Sequence, residues 1–91
     1  MKIDLIYKKA LVGASSQGIG YAIALELANC GASVVLTARN EEKLKERVSN
    51  LPITNSAQQH SYLVVDYSDL LNYKRTITEF LQGNPIDILI N

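Results

Sequence analysis

Ala10-Leu11-Val12-Gly13-Ala14-Ser15-Ser16-Gln17-Gly18-Ile19-Gly20 is the stretch on which the fold turns. Its apolar start follows two lysines and runs into glycine, as a short buried strand does before a tight turn. Ile19 to Cys30 then reads as a helix that is apolar on most sides, through Ile19, Ala22, Ile23, Ala24, Leu25, Leu27 and Ala28. Such a helix packs against a sheet and a further layer, and Gly31 can close it in a left-handed conformation. A strand, a glycine turn and a helix in this order make a phosphate cradle. The first N–H groups of the helix have no acceptor within it and point at whatever sits above the strand end. Gly13 is expected to permit the sharp departure from the strand. Gly18 and Gly20 let the backbone approach a pyrophosphate and let the helix pack close, where a Cβ would obstruct. The candidate binding residues of the turn are Gly13, Ser15, Ser16, Gln17, Gly18, Ile19 and Gly20.

Working outward, apolar runs and helical patterns alternate. Ser33-Val34-Val35-Leu36-Thr37-Ala38 is rich in β-branched residues and predicts the second strand. Asn40 is a good N-cap for a second helix, Glu41 and Glu42 suit its positive end, and Leu44, Val48 and Leu51 form a narrow apolar stripe. The charges of this helix are expected to be solvated scaffold. Leu51 to Gln59, with Pro52 and mostly polar residues, predicts a mobile loop. His60 to Val65 reads as the third strand and Ser68 to Leu81 as the third helix, with Leu70, Leu71, Ile77 and Phe80 toward the core. Gly83-Asn84-Pro85 is a turn that delivers a fourth strand, Ile86 to Ile90. The order β-α-β-α-β-α-β, with each connection long enough for a helix, predicts an α/β fold: a Rossmann-type parallel sheet with right-handed crossovers and helices on both faces, an incomplete doubly wound sheet. Residues 1–91 form one dinucleotide-binding unit, and the buried character of the last strand leads to the expectation that a longer chain continues past it.

Alone, the glycine turn admits several nucleotide and cofactor binders. A P-loop is disfavoured because no Gly-Lys-Ser/Thr follows the turn. A methyltransferase-type site usually has an acid at the end of the second strand, where this chain has Ala38 and Arg39. The same position separates the nicotinamide cofactors. An acid there would bind ribose hydroxyls and repel a 2′-phosphate, whereas an arginine can pair with that phosphate bidentately. Arg39 stands nineteen residues after Gly20 (39 − 20), near the ~20 expected of this selector. It favours NADP(H) over NAD(H), with an ordinary exposed loop arginine as the competing reading. Asn40 joins it as a candidate contact.

Nine basic residues balance nine acidic ones without a basic track, so nucleic acid is not an expected partner. The single cysteine, Cys30, has no intrachain partner, and no Cys/His cluster has metal-ligand spacing. The N-terminus does not read as a signal peptide, and no apolar run approaches the ~18 residues of a membrane span. A cytoplasmic location is the default expectation.

Taken together, these residues resemble the short-chain dehydrogenases/reductases. Ala10 to Ala24 is similar to that family's opening Ala-Leu-Val-Thr-Gly-Ala-Ser-x-Gly-Ile-Gly-x-Ala-Ile-Ala, with Gly18, Ile19 and Gly20 matching. Gly13 and Ala14 stand where Thr and Gly are usual, so Gly13 serves if the turn is shifted by one residue. Val35 to Asn40 resembles the NADP-type end of the second strand. Val65-Asp66-Tyr67-Ser68 resembles the Asp-Val/Leu-Ser/Thr element, which implies that Asp66 accepts from the adenine amino group and that the backbone of Tyr67 contacts the ring; an N-cap role for Asp66 or Ser68 competes. Ile86 to Asn91 is similar to the strand leading into Asn-Asn-Ala-Gly, with Asn91 as the first asparagine. The resemblance implies hydride transfer between nicotinamide and a carbonyl or alcohol, with a small-molecule or acyl-thioester substrate and a homo-oligomeric whole protein. Within the family the chain looks most like the 3-oxoacyl carrier-protein reductases. The resemblance implies that the catalytic Ser and Tyr-x-x-x-Lys lie beyond the Asn-Asn-Ala-Gly element, and no tyrosine here has a lysine four residues later. No catalytic residue is therefore assigned. A non-catalytic dinucleotide-binding or sensing module is the alternative.

Overall fold

A computed structural model describes residues 3–90. Seven elements follow one another: β1 (Lys9–Val12), α1 (Gly18–Asn29), β2 (Ser33–Ala38), α2 (Glu41–Ser49), β3 (Ser61–Val64), α3 (Leu70–Gly83) and β4 (Ile88–Ile90). The strands form one sheet in the order β3-β2-β1-β4, and every pair is parallel. Val12 sits opposite Leu36 on one side and Ile90 on the other. The chain steps β1 to β2 to β3 in one direction and returns from β3 to β4 in the other. With right-handed crossovers this puts α1 and α2 on one face and α3 on the opposite face. The reversal lies at β1. In open α/β sheets, ligands bind outside the carboxyl ends of the strands at such a point.

The core shows why these residues make these elements. Val34, Leu36 and Ala38 alternate along β2 and pack with Val12 of β1, Ala24 and Ala28 of α1, Leu44 of α2 and Leu51 beyond it. Small residues at 24 and 28 let α1 lie close to the strands. Val35 and Thr37 are buried on the other side of β2. Helix α1 closes as expected at Gly31, whose φ is 104°. Gly31 N donates to Ala28 O at 3.0 Å and Ala32 N to Leu27 O at 3.1 Å, the paired bonds of a Schellman end.

Several expectations are corrected. The 51–59 loop has fixed partners rather than loose ends. Gln58 is buried, and its Nε2 donates to Ala28 O at 2.6 Å and Ala32 O at 2.7 Å, while Thr54 N donates to its Oε1 at 2.6 Å. One polar side chain thus ties the loop to the end of α1. His60 precedes the third strand instead of opening it: its Nδ1 accepts from Val34 N at 3.1 Å and its Nε2–H donates to Pro52 O at 2.8 Å. The fourth strand shortens to Ile88–Ile90, because Lys9 N donates to the Asp87 carboxylate at 2.9 Å.

The third helix starts later than expected. Asp69 is its N-cap, accepting from Asn72 N at 3.2 Å, so neither Asp66 nor Ser68 has that role. Gly83, placed in a turn by the sequence, is its last residue. Leu70 and Leu71, expected in the core, are 62% and 84% exposed. The half-buried residues of α3 include Tyr73, Thr76, Ile77 and Phe80, and the Tyr73 ring lies 4.9 Å from that of Tyr67. Among the described residues nothing covers the remaining apolar side chains of this helix.

Candidate cofactor site

The turn between β1 and α1 is built by hydrogen bonds to β2. Ser15 was expected to touch a cofactor, but it is fully buried. Its N–H donates to Thr37 O at 2.8 Å, its hydroxyl donates to Val12 O at 2.8 Å, and the hydroxyl oxygen accepts from Thr37 N at 2.9 Å. With these groups committed, Ser15 is a bolt beneath the turn. Thr37 Oγ1 also donates to Val12 O, at 3.0 Å, and accepts from Ala14 N at 3.1 Å. Tyr67 completes the cluster: its O–H donates to Thr37 Oγ1 at 2.8 Å and its oxygen accepts from Ala14 N at 2.7 Å.

Gly13 does not make the sharp departure. Its N–H stays in the sheet, donating to Ile90 O at 2.8 Å, and Ala14 takes the left-handed conformation with φ 46°. The turn is unshifted, with an alanine where the resemblance expects glycine. A Cβ there strains the backbone by about 1 kcal/mol. The two acceptors on Ala14 N hold it in place.

Past the turn, Gly18 has φ 63°, and a Cβ built on it would meet nothing within 4 Å. Gly20 is the opposite case: its Cβ would lie 2.6 Å from Ala14 O. Gly20 therefore lets α1 press against the turn, while the space around Gly18 stays open. Gln17, the residue before the helix, is extended and makes no side-chain cap, and the first turn contains no acid. The N–H groups at the start of α1 thus meet no competing side-chain anion. An open helix start, a glycine facing free space and a closely seated second glycine fit a pyrophosphate. Ile19, the second residue of α1, is 81% exposed and lines an apolar groove with Leu5, Ala22 and Ile23 instead of the cleft beside the turn.

Beside the turn, Ala14, Ser16, Gln17, Ala38, Arg39, Asn40, Lys43 and Tyr67 line a cleft of about 310 Å³ at the carboxyl end of β2. Arg39 is exposed and has no ion-pair or hydrogen-bond partner among the described residues. Asn40 Oδ1 accepts from Lys43 N at 3.0 Å and so caps α2, and its amide N–H groups have no partner among the described residues. Asp66 Oδ1 accepts from Ser68 N at 2.9 Å and from Ser68 Oγ at 2.6 Å. These bonds, with a smaller contribution from the Arg39 charge, hold the Asp66 carboxyl below its usual range. Its other oxygen has no partner among the described residues. The structure thus brings Ser16, Gln17, Arg39, Asn40 and Tyr67 to one cleft, with the open start of α1 beside it. Asn91 lies outside the described residues.

Three contributors were missed by sequence reading. The charges of α2 are not all solvated scaffold: Arg47 Nε donates to Ser16 O at 2.9 Å and its guanidinium lies 4.9 Å from the centre of the Tyr21 ring. Lys43 Nζ donates to Gln17 Oε1 at 2.7 Å. Lys43 and Arg47 are four residues apart and share a helix face. That spacing was available in the sequence, but nothing there said which element the face would meet. The third is the phenol of Tyr67, valued only for its backbone.

Fold and site together define a dinucleotide-binding α/β unit, with the phosphate cradle after the first strand and a cationic cleft after the second. The chain belongs to the short-chain dehydrogenase family, whose description it matches over residues 8–91. It is 38% identical to an uncharacterized oxidoreductase of Bacillus subtilis across its whole length, which is 33% of that protein. Over 90% of the chain it is 34% identical to the human inactive hydroxysteroid dehydrogenase-like protein 1, covering 24% of that protein. Among solved structures, a 3-oxoacyl (acyl-carrier-protein) reductase from Agrobacterium tumefaciens with NADP bound superposes with a TM-score of 0.78 and 31% identity, over 94% of this chain and 33% of that one. The chain therefore spans about a third of the length of these relatives or less. The family binds nicotinamide dinucleotides, and this site has the parts to do so.

Proposed function

We propose that this chain is the cofactor-binding part of an NADP(H)-dependent oxidoreductase acting on a carbonyl or alcohol, with 3-oxoacyl thioesters as the leading substrate class. The observation that carries the cofactor reading is Arg39: an unpaired guanidinium on the cleft that also contains Ser16, Gln17 and Asn40. The start of α1 would hold the pyrophosphate, Arg39 the 2′-phosphate, and Asp66 with the Tyr67 backbone the adenine. The bound nicotinamide supplies or accepts the hydride. The thioester reading is supported by the likeness to the NADP-bound 3-oxoacyl reductase. A reducing, cytoplasmic setting and a homo-oligomeric whole protein belong to the same proposal, and the single free thiol of Cys30 suits the former.

Arg39→Asp in the full-length protein tests the cofactor reading. NADP⁺ affinity, measured by titration calorimetry, should fall about a hundredfold, while NAD⁺ affinity should hold or rise. Equal losses for both would refute the selector. A second reading, a dinucleotide-binding module without turnover, is favoured by the inactive human relative. NADPH oxidation with a 3-oxoacyl thioester separates the two, since the module would bind NADPH and oxidise none.

A further inference from the structure

Lys43 stands on the same cleft as Arg39, half-buried on the first turn of α2. Its backbone is fixed by the Asn40 cap, whose Oδ1 accepts from Lys43 N at 3.0 Å. Its ammonium is fixed at the other end by Gln17 Oε1, 2.7 Å away on the glycine turn. The side chain therefore bridges from α2 to the turn along one wall of the cleft. An ammonium has three donors and Gln17 takes one, leaving two.

A phosphate monoester carries about −1.5 to −2 charges near neutral pH, more than one guanidinium balances. Three carboxylates of this region, Glu41, Glu42 and Asp66, have partners other than this lysine. Glu41 accepts from the Tyr62 phenol at 3.0 Å, and Glu42 lies 3.8 Å from Lys45. Asp66 is held by Ser68 and feels Arg39. We propose that Lys43 is the second cation of the 2′-phosphate site and that Gln17 positions it, so that the phosphate of NADP(H) is gripped by Arg39 from the end of β2 and by Lys43 from α2. The inference rests on the NADP(H) reading above and adds to it a residue from a different element, with a glutamine as its support.

The test measures NADP⁺ and NAD⁺ affinities of the full-length protein by titration calorimetry, with thermal unfolding as a check on folding. Lys43→Met keeps the stem and removes the charge. It should weaken NADP⁺ about tenfold, change NAD⁺ by less than twofold and flatten the salt dependence of NADP⁺ binding. Lys43→Arg should restore most of the loss, and Gln17→Ala should reproduce part of it. Unchanged NADP⁺ affinity in Lys43→Met overturns the inference. So do equal losses for both cofactors, which would make the lysine a brace of the turn. If Arg39→Asp abolishes the preference for NADP⁺ while Lys43→Met leaves it intact, only the role of Lys43 fails. If the unchanged protein binds NADP⁺ no better than NAD⁺, the underlying cofactor reading fails.

Discussion

Helices α1 and α2 both begin just past the carboxyl end of a strand of the same sheet, and their first turns are treated in opposite ways. At α2, Asn40 accepts from Lys43 N, and Glu41 and Glu42 supply negative charge at the positive end of the helix. At α1, Gln17 makes no cap, no acid follows, and two glycines occupy the first three positions. One helix start is satisfied from within the chain. The other is left for something outside it. Leaving N–H groups without a side-chain acceptor costs stability, about 1 kcal/mol for a missing cap. The fold accepts this cost at α1 and avoids it at α2 and α3, which supports the proposal that the pyrophosphate is held at α1.

The largest effect should come from closing the space at α1. Gly20→Ala drives a Cβ to within 2.6 Å of the Ala14 carbonyl oxygen, so helix and turn must separate. Denaturant unfolding should show a loss of about 2 kcal/mol, and dinucleotide affinity should drop at least tenfold. Gly18→Ala meets no atom and should cost only its left-handed backbone, about 1 kcal/mol. If the two substitutions proved equal in stability, the close seating of α1 would be wrong.

Next come the caps themselves. Asn40→Ala should destabilise by about 1 kcal/mol, and Gln17→Ala by less than about 0.5 kcal/mol, because only the first removes a cap. Equal costs would erase the difference between the helix starts. Ala14→Gly tests the turn that feeds α1. Relief of the positive φ is offset by a more flexible unfolded chain, for a net gain of under about 1 kcal/mol. A loss in melting temperature would show that the strain attributed to Ala14 is absent.

The folding logic of the sheet was legible because it depends on local pattern. The β-branched run at 33–38, the glycines at 18, 20 and 31 and the cap at Asn40 each act within a few residues of themselves. The parts that were not legible join residues far apart. Ser15 binds Thr37, Tyr67 reaches Ala14, Lys43 reaches Gln17 and Gln58 plugs the end of α1. Spacing shows which residues share a face, but not what that face will meet. Tyr67 and Gln58 carry no local signal for these bonds. Leu70 and Leu71 mislead in the other direction, since apolar character cannot say whether a covering layer is present among the described residues.

The smallest expected effect concerns Asp66. Its carboxyl is held below its ordinary value of 3.8, first by the Ser68 hydroxyl and backbone N–H. A lowered folded value means that the ionised form favours folding above the ordinary carboxylate range, and that this contribution fades as pH falls through the lowered value. Ser68→Ala should move the Asp66 titration, followed by carboxyl-carbon NMR, upward toward 3.8. An unchanged titration would remove Ser68 as the cause.

The opening comparison is tested most directly by an amide NMR titration of the full-length protein with NADP⁺. The N–H signals of Gly18, Ile19 and Gly20 should shift strongly and together, while those of Glu41 and Glu42 at the start of α2 should move little. Binding that left the α1 amides in place, or shifted both helix starts alike, would contradict the assignment of the dinucleotide to the open end of α1.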